Sequence, residues 1–237
     1  LVRLIEERGG TAVVVPTIEI VPPASWEACD RAIERLSAYD GVLFTSVNGA
    51  EHFLRRLAER NVAASALKSK RLFAVGEKTA QTLSRIGLPA ASLPEKFTAA
   101  DLARMLERED VRGKAFLFPK GNLASNLLVE HLTILGASIE AVTVYETRPP
   151  GREDAERLRV LLAERKVAIM TFTSPSTFEN FSDLFSAEEL FALSGHTAIA
   201  AIGPATARAV EESGLRVDIV PALSTIEGMV EAIANYV

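Results

Sequence analysis

The sequence predicts two similar parallel-sheet α/β domains, built from a tandem internal repeat and joined by a two-stranded β-ladder that acts as a hinge. Three observations carry that prediction. A unit of about 127 residues occurs twice, short apolar runs alternate with helical patterns along the chain, and one proline-closed extended segment breaks the rhythm in each copy.

The repeat aligns without gaps in its first block. LVRLIEERGGTAVVVPTIEIVPP (1–23) lies over LVEHLTILGASIEAVTVYETRPP (128–150), with seven of 23 positions identical. RLFAVGEKTAQTLSRIGLPAASLP (71–94) lies over AIAAIGPATARAVEESGLRVDIVP (198–221) at the same offset of 127, and LFTSVNGAEHF (43–53) over TFTSPSTFENF (171–181) at 128. Thr98 falls on Thr225, each ahead of a helical pattern. The second copy opens with KAFLFPKGNLASNL (114–127), for which the first copy shows no counterpart. The repeat therefore predicts a strand and turn of roughly 14–20 residues ahead of Leu1, since an amphipathic helix without its strand leaves a sheet position empty.

Each element has a local reason. Helical periodicity occupies 1–8, 26–37, 47–60, 77–86, 99–108, 123–135, 152–165, 175–184, 187–193, 204–213 and 225–236. Gly9, Gly87, Gly136 and Gly214 stand where helices should end. Strands are expected at 11–15, 41–46, 71–75, 90–93, 115–118, 138–141, 168–173, 197–202 and 217–220. Most of these runs are continuously apolar, which marks parallel strands covered on both faces. PTIEIVPP (16–23) and TVYETRPP (143–150) extend a strand past its expected turn, and their prolines place them at an edge or in a connector. If they pair, one domain is 1–16 plus 151–237, discontinuous and lacking its first strand, the other is 24–141, and 17–23 and 142–150 are linkers.

Composition narrows the function classes. With 237 residues and 48% hydrophobic content the chain can bury a core in each of two domains, which excludes disorder. A net charge of −5 argues against a dedicated nucleic-acid binder. Cys29 is the single cysteine, so there is no disulfide framework or multi-cysteine metal site, and a reducing, cytoplasmic setting is expected. No apolar run is long enough to span a membrane, and no membrane association is expected.

Chemistry in open parallel sheets sits beyond the carboxyl ends of the strands. There the chain carries SVNG (46–49), GEKT (76–79), PKGN (119–122), SPST (174–177) and GPAT (203–206), each expected to open a helix. Backbone N–H groups at helix starts bind anions, although Ser and Thr there also serve as ordinary caps. Five such loops around one cleft would suit a ligand with several carboxylates or phosphates. His52, His131 and His196 have no metal-ligand spacing and read as surface or packing residues, and no metal is expected. Dinucleotide and P-loop fingerprints are absent, and neither Ser46 nor Ser174 has a nearby histidine to activate it. Cys29 reads as packing. Tyr145, whose repeat partner is Ile18, either faces the cleft or packs on the hinge.

FLFPKGNLASNLLVEHL with GASIEAVTVYET (116–147), TFTSPSTFENF (171–181) and AIGPATARAV (201–210) together resemble the uroporphyrinogen-III synthase family over essentially the whole chain. The resemblance implies two α/β domains joined by a β-ladder, and a cofactor-free lyase of haem biosynthesis. In that reaction hydroxymethylbilane, a linear tetrapyrrole with eight carboxylates, loses water, closes its ring and inverts the last pyrrole. It implies Tyr145 as the catalytic residue, and Thr45, Ser46, Thr79, Lys120, Asn122, Ser174, Ser176 and Thr206 as substrate-binding residues. Lys78, Lys120, Arg148 and Arg208 are candidate cations for the carboxylates, and a monomer is expected. Two departures are visible: the family's opening strand with its arginine-containing turn has no match, and residue 205 is Ala where some relatives carry a hydroxyl. The competing reading is a non-enzymatic two-domain protein that binds a polycarboxylate.

Overall fold

The computed structural model describes residues 1–88 and 99–237. Its elements in chain order are α1 (Val2–Glu6), β1 (Glu19–Val21), α2 (Glu27–Glu34), β2 (Gly41–Phe44), α3 (Val47–Glu59), β3 (Arg71–Ala74), α4 (Glu77–Ser84), α5 (Ala99–Glu107), β4 (Ala115–Gly121), α6 (Leu127–Ile134), β5 (Ser138–Arg148), α7 (Arg152–Ala163), β6 (Ile169–Phe172), α8 (Pro175–Ser182), α9 (Ala187–Ser194), β7 (Ala198–Ala201), α10 (Pro204–Glu212) and α11 (Ile226–Tyr236). A helix stands at each place where the periodicity predicts one. The chain is an α/β protein with mostly parallel pairing, and it divides into two compact units, Ile20–Thr147 and Leu1–Glu19 with Arg148–Val237.

The first of these units carries a five-stranded sheet in the order β1-β5-β4-β2-β3. The β2/β3, β2/β4 and β4/β5 pairs are parallel. Alternate residues of the apolar strands feed opposite faces, as the period of two requires. Val42, Phe44, Leu72, Leu117, Val142 and Val144 meet α2 and α3 through Cys29, Ala32, Phe53 and Leu57. Leu43, Phe73, Phe116 and Phe118 meet α5 and α6 through Leu102, Leu106, Leu128 and Leu132. Each fully buried Val, Leu or Phe side chain among them contributes about 1.5–3 kcal/mol relative to exposure. Pro119 is tolerated in a central strand because β2 pairs with β4 only at Phe116 and Leu117, before the proline is reached.

The other unit has a smaller sheet. β6 and β7 pair in parallel from Ile169↔Ala198 to Phe172↔Ala201, and Ile219 adds one parallel bridge to Ala200. Its core is aromatic: Phe172 meets Phe178 and Phe181 edge-on at centroid distances of 5.2 and 5.1 Å. Leu158, Leu190 and Val210 close that cluster from α7, α9 and α10, and Met229 of α11 packs on Ala200 and Ile219.

Three strand expectations are corrected or fall away. The run 11–15 is not a strand: Val13 and Val14 are 46% and 64% exposed. Its repeat counterpart in β5 is held by the ladder with β4, and among the described residues no strand pairs with 11–15. An extended apolar run without a ladder partner keeps its backbone groups for water. The expected strand 217–220 shrinks to the single bridge at Ile219, and 90–93 lies outside the described residues. The PKGN turn also differs, because β4 runs through Gly121 and α6 begins only at Leu127. The four glycines expected after helices follow α1, α4, α6 and α10 with φ of +72 to +84°.

Candidate functional site

The richest cluster of polar groups at a strand end lies in the unit Ile20–Thr147, where β2, β4 and β5 finish. Ser46 leaves β2 in an extended conformation and caps α3, its Oγ accepting the N–H of Gly49 at 3.0 Å. The same Oγ lies 3.3 Å from the phenol oxygen of Tyr145. Tyr145 reaches it because the β4/β5 register shifts between Lys120 and Gly121, which sets Gly121 opposite Tyr145. A β-bulge of this kind re-aims a side chain. The imidazole of His52, on α3, packs against the Tyr145 ring, tilted by 37° with 5.6 Å between centroids. His52 is 7% exposed, and burial, with a smaller contribution from Arg55, lowers its pKa, so the imidazole is neutral at pH 7.

The turn after β4 is occupied with holding that arrangement. The Asn122 backbone N–H donates to Tyr145 O at 3.2 Å. Its side-chain Oδ1 accepts the N–H of Thr147 at 2.8 Å and its Nδ2 donates to Thr147 O at 3.3 Å, so an amide side chain continues the ladder past the end of the strand. Lys120 Nζ donates to Ala124 O at 2.9 Å and Asn126 Oδ1 at 2.7 Å, which pins the loop and explains why α6 starts late. Lys120 and Asn122 therefore brace the turn, and their polar groups are already engaged within it.

In the other unit the equivalent helix start is hydroxyl-rich. Ser174 caps α8, accepting the N–H of Thr177 at 3.1 Å, and its Oγ also meets Ser176 Oγ at 3.1 Å and Thr177 Oγ1 at 2.8 Å. Ser176 is exposed, and Thr45 and Ser174 are half-buried. Thr79 and Thr206, which are repeat partners, are buried, only 3% and 2% exposed. The N-caps of α4 and α10 are Gly76 and Gly203, with no side-chain cap bond. Lys78 and Arg208 are exposed, and Arg148 is exposed with an interaction of its own. Cys29 is fully buried, and burial, with the neighbouring Asp30 charge, pushes its thiol up to about 12, which removes it as a nucleophile at neutral pH.

Two neighbours of Tyr145 cannot be assigned to it from the sequence. His52 reads as packing or surface, and the helical phase that buries Gly49 and Phe53 makes it packing; what the sequence does not show is that it packs beside the Tyr145 ring. Gly121 reads as part of an anion-binding turn, and nothing in the sequence fixes the register that sets it under Tyr145.

The comparisons point one way. Residues 1–231 match the family described as uroporphyrinogen-III synthase HemD. The uroporphyrinogen-III synthase of Chlorobaculum parvum is 37% identical over 237 residues, covering 99% of this chain and 92% of the relative. That of Synechococcus elongatus is 30% identical, covering 96% and 87%. In fold, the chain is similar to a crystal structure of a mutant uroporphyrinogen III synthase from Thermus thermophilus, with a TM-score of 0.66 at 20% identity, covering 99% of this chain and 91% of that one.

Proposed function

This chain belongs to the uroporphyrinogen-III synthase family and is an enzyme of that type, a lyase of porphyrin biosynthesis, and on that premise we propose how its residues act on hydroxymethylbilane. Tyr145 is the acid that meets the departing hydroxyl. The observation that carries this reading is the phenol oxygen held 3.3 Å from Ser46 Oγ at the start of α3.

The chemistry follows from that placement. The pyrrole nitrogen of the terminal ring pushes out the hydroxyl, the Tyr145 O–H supplies its proton, and water leaves. Phenols are weak acids at neutral pH, so the phenolate must be stabilised as it forms. The Ser46 hydroxyl, polarised by the N–H it accepts from Gly49, donates to the phenolate oxygen. The positive end of the thirteen-residue helix α3 lies beside it. The substituted carbon of the last pyrrole then attacks the exposed methylene and becomes a spiro carbon; its bond to its original methylene breaks, that methylene rejoins the pyrrole at the unsubstituted α-carbon, and the proton lost from that carbon returns to the phenolate. The larger task is to hold that pyrrole so that closure inverts it, which is catalysis by positioning.

Carboxylates of the substrate are bound by N–H groups at helix starts, with Thr45 and Ser46 ahead of α3 and Ser174 and Ser176 at the start of α8 adding donors. Thr79 and Thr206 contribute through the helix starts that they anchor, and Lys120 and Asn122 through the turn that they brace. The two units are read as the domains of the tandem repeat, 1–16 with 151–237 and 24–141, with 17–23 and 142–150 as linkers that pair as a ladder. The enzyme works as a cytoplasmic monomer without a cofactor. Incubation with hydroxymethylbilane and separation of the product isomers tests the proposal: catalytic formation of the type III isomer is expected. Stoichiometric binding with only the type I isomer contradicts it and supports a binding protein.

A further inference from the structure

Gly121 is the one described residue on which the Tyr145 ring rests so closely that a side chain has no room. A Cβ built there would stand 2.5 Å from Tyr145 Cζ, 2.7 Å from Cε2 and 2.8 Å from the phenol oxygen. Ordinary carbon contacts begin at about 3.5 Å. Gly121 is not among the glycines with positive φ, so alanine meets no backbone strain there and its whole effect is the methyl group against the ring. The ring cannot simply turn aside. His52 packs against it at 5.6 Å between centroids, and Asn122 fixes the backbone on both sides of it through Tyr145 O and Thr147.

From this geometry we infer that Gly121 is a positioning residue for the reaction: the missing side chain is the seat that sets the Tyr145 phenol against Ser46. The inference rests on the reading of Tyr145 as the acid. Restoring van der Waals distance to a methyl at residue 121 requires the ring to move by roughly 1 Å. The phenol-to-Ser46 contact is 3.3 Å, and a shift of that size takes the pair out of that geometry. A misplacement of about 1 Å can cost on the order of a hundredfold in rate.

The experiment compares Gly121→Ala, Tyr145→Phe and the double variant on hydroxymethylbilane, together with NMR of protein carrying 13Cζ-labelled tyrosine. The chain has three tyrosines, and Tyr145→Phe assigns the signal of interest. Gly121→Ala is expected to lower kcat by about 10–100-fold with KM changed less than about threefold. Its Tyr145 signal should move while those of Tyr39 and Tyr236 stay. The double variant should be no slower than Tyr145→Phe, because without the hydroxyl its position no longer matters. Where Gly121→Ala is too unstable to assay, melting temperatures decide. Tyr145→Ala removes the obstructing ring, so adding Gly121→Ala to it should cost little, and a full additional loss overturns the inference. Full activity in Tyr145→Phe overturns the acid itself and the positioning claim with it. A slow Tyr145→Phe beside a Gly121→Ala variant with an unmoved signal and wild-type kcat overturns the positioning claim alone.

Discussion

Ser46 and Ser174 are repeat partners that cap α3 and α8 by the same bond, yet their hydroxyls serve different ends. Each accepts the N–H three residues on, at 3.0 and 3.1 Å. Ser46 then turns to a phenol brought from β5, whereas Ser174 turns to two hydroxyls of its own helix. The next residue differs as well: Val47 keeps an N–H at the first position of α3, and Pro175 removes it from α8. The strands behind them differ in the same sense. β2 lies between β3 and β4 in a five-stranded sheet, while β6 belongs to a two-stranded one. The comparison teaches that the duplicated signal fixes the local cap, and that the surrounding sheet decides what the cap can do. On this account proton transfer belongs to the α3 start, and the α8 start only binds.

The most disruptive way to test that division is to give α3 the opening of α8. Val47→Pro reproduces Ser174-Pro175, and Ser46 at φ −152° and ψ 155° already has the extended backbone that a following proline demands. Proline at the first helical position is well tolerated, so the melting temperature should hardly change. If a substrate carboxylate uses that N–H, kcat/KM should fall by roughly 10–100-fold, the worth of one charge-assisted hydrogen bond. Unchanged kcat/KM with an intact fold would show that the two starts are equivalent in binding.

A smaller effect separates the two serines. Ser46→Ala removes a donor to the phenolate and should lower kcat by about three- to tenfold, while Ser174→Ala should act on KM and by less than about threefold. Both lose a cap, so both should lose about 1 kcal/mol of stability in a denaturant titration. Equal kcat values in the two variants would break the comparison.

The smallest expected difference is in acid sensitivity. Burial holds the folded-state pKa of His52 below its unfolded value, so the unfolded chain binds a proton first as pH falls. The unit containing His52 should therefore lose stability as pH drops below about 6.5, until the folded imidazole also protonates. Asp30, held low by Arg56, and Asp40, held low by the Ala115 N–H, add stability that is lost only in stronger acid. The other unit has Glu189, held low by the Ser186 N–H, which acts in that lower range. Denaturant titrations at pH 7.5 and 5.5 should show the loss in the wild type, and His52→Asn should flatten it.

Much of this molecule is legible in its sequence. Helix periodicity and cap residues are local properties, which is why eleven helices and the Ser46 and Ser174 caps can be read directly. Strands are not local in this way. Residues 11–15 have the composition of a strand and no ladder, whereas β5 has both. Tyr145 stands out because a phenol replaces an isoleucine between the copies. Its partners do not, since Gly121, Asn122 and His52 meet it only through the β4/β5 register and its shift at Gly121. The Lys120 ammonium looks available in the sequence and is spent on Ala124 and Asn126 in the fold.

The central claim is that the Tyr145 hydroxyl supplies the proton for water loss. The direct measurement is kcat for Tyr145→Phe with hydroxymethylbilane, with the isomer of the product identified and the melting temperature recorded. The account predicts a fall of roughly 10–100-fold at nearly unchanged stability, with the type III isomer still the enzymatic product, because positioning survives the loss of the acid. Wild-type kcat in Tyr145→Phe would contradict it and leave positioning as the whole of the mechanism.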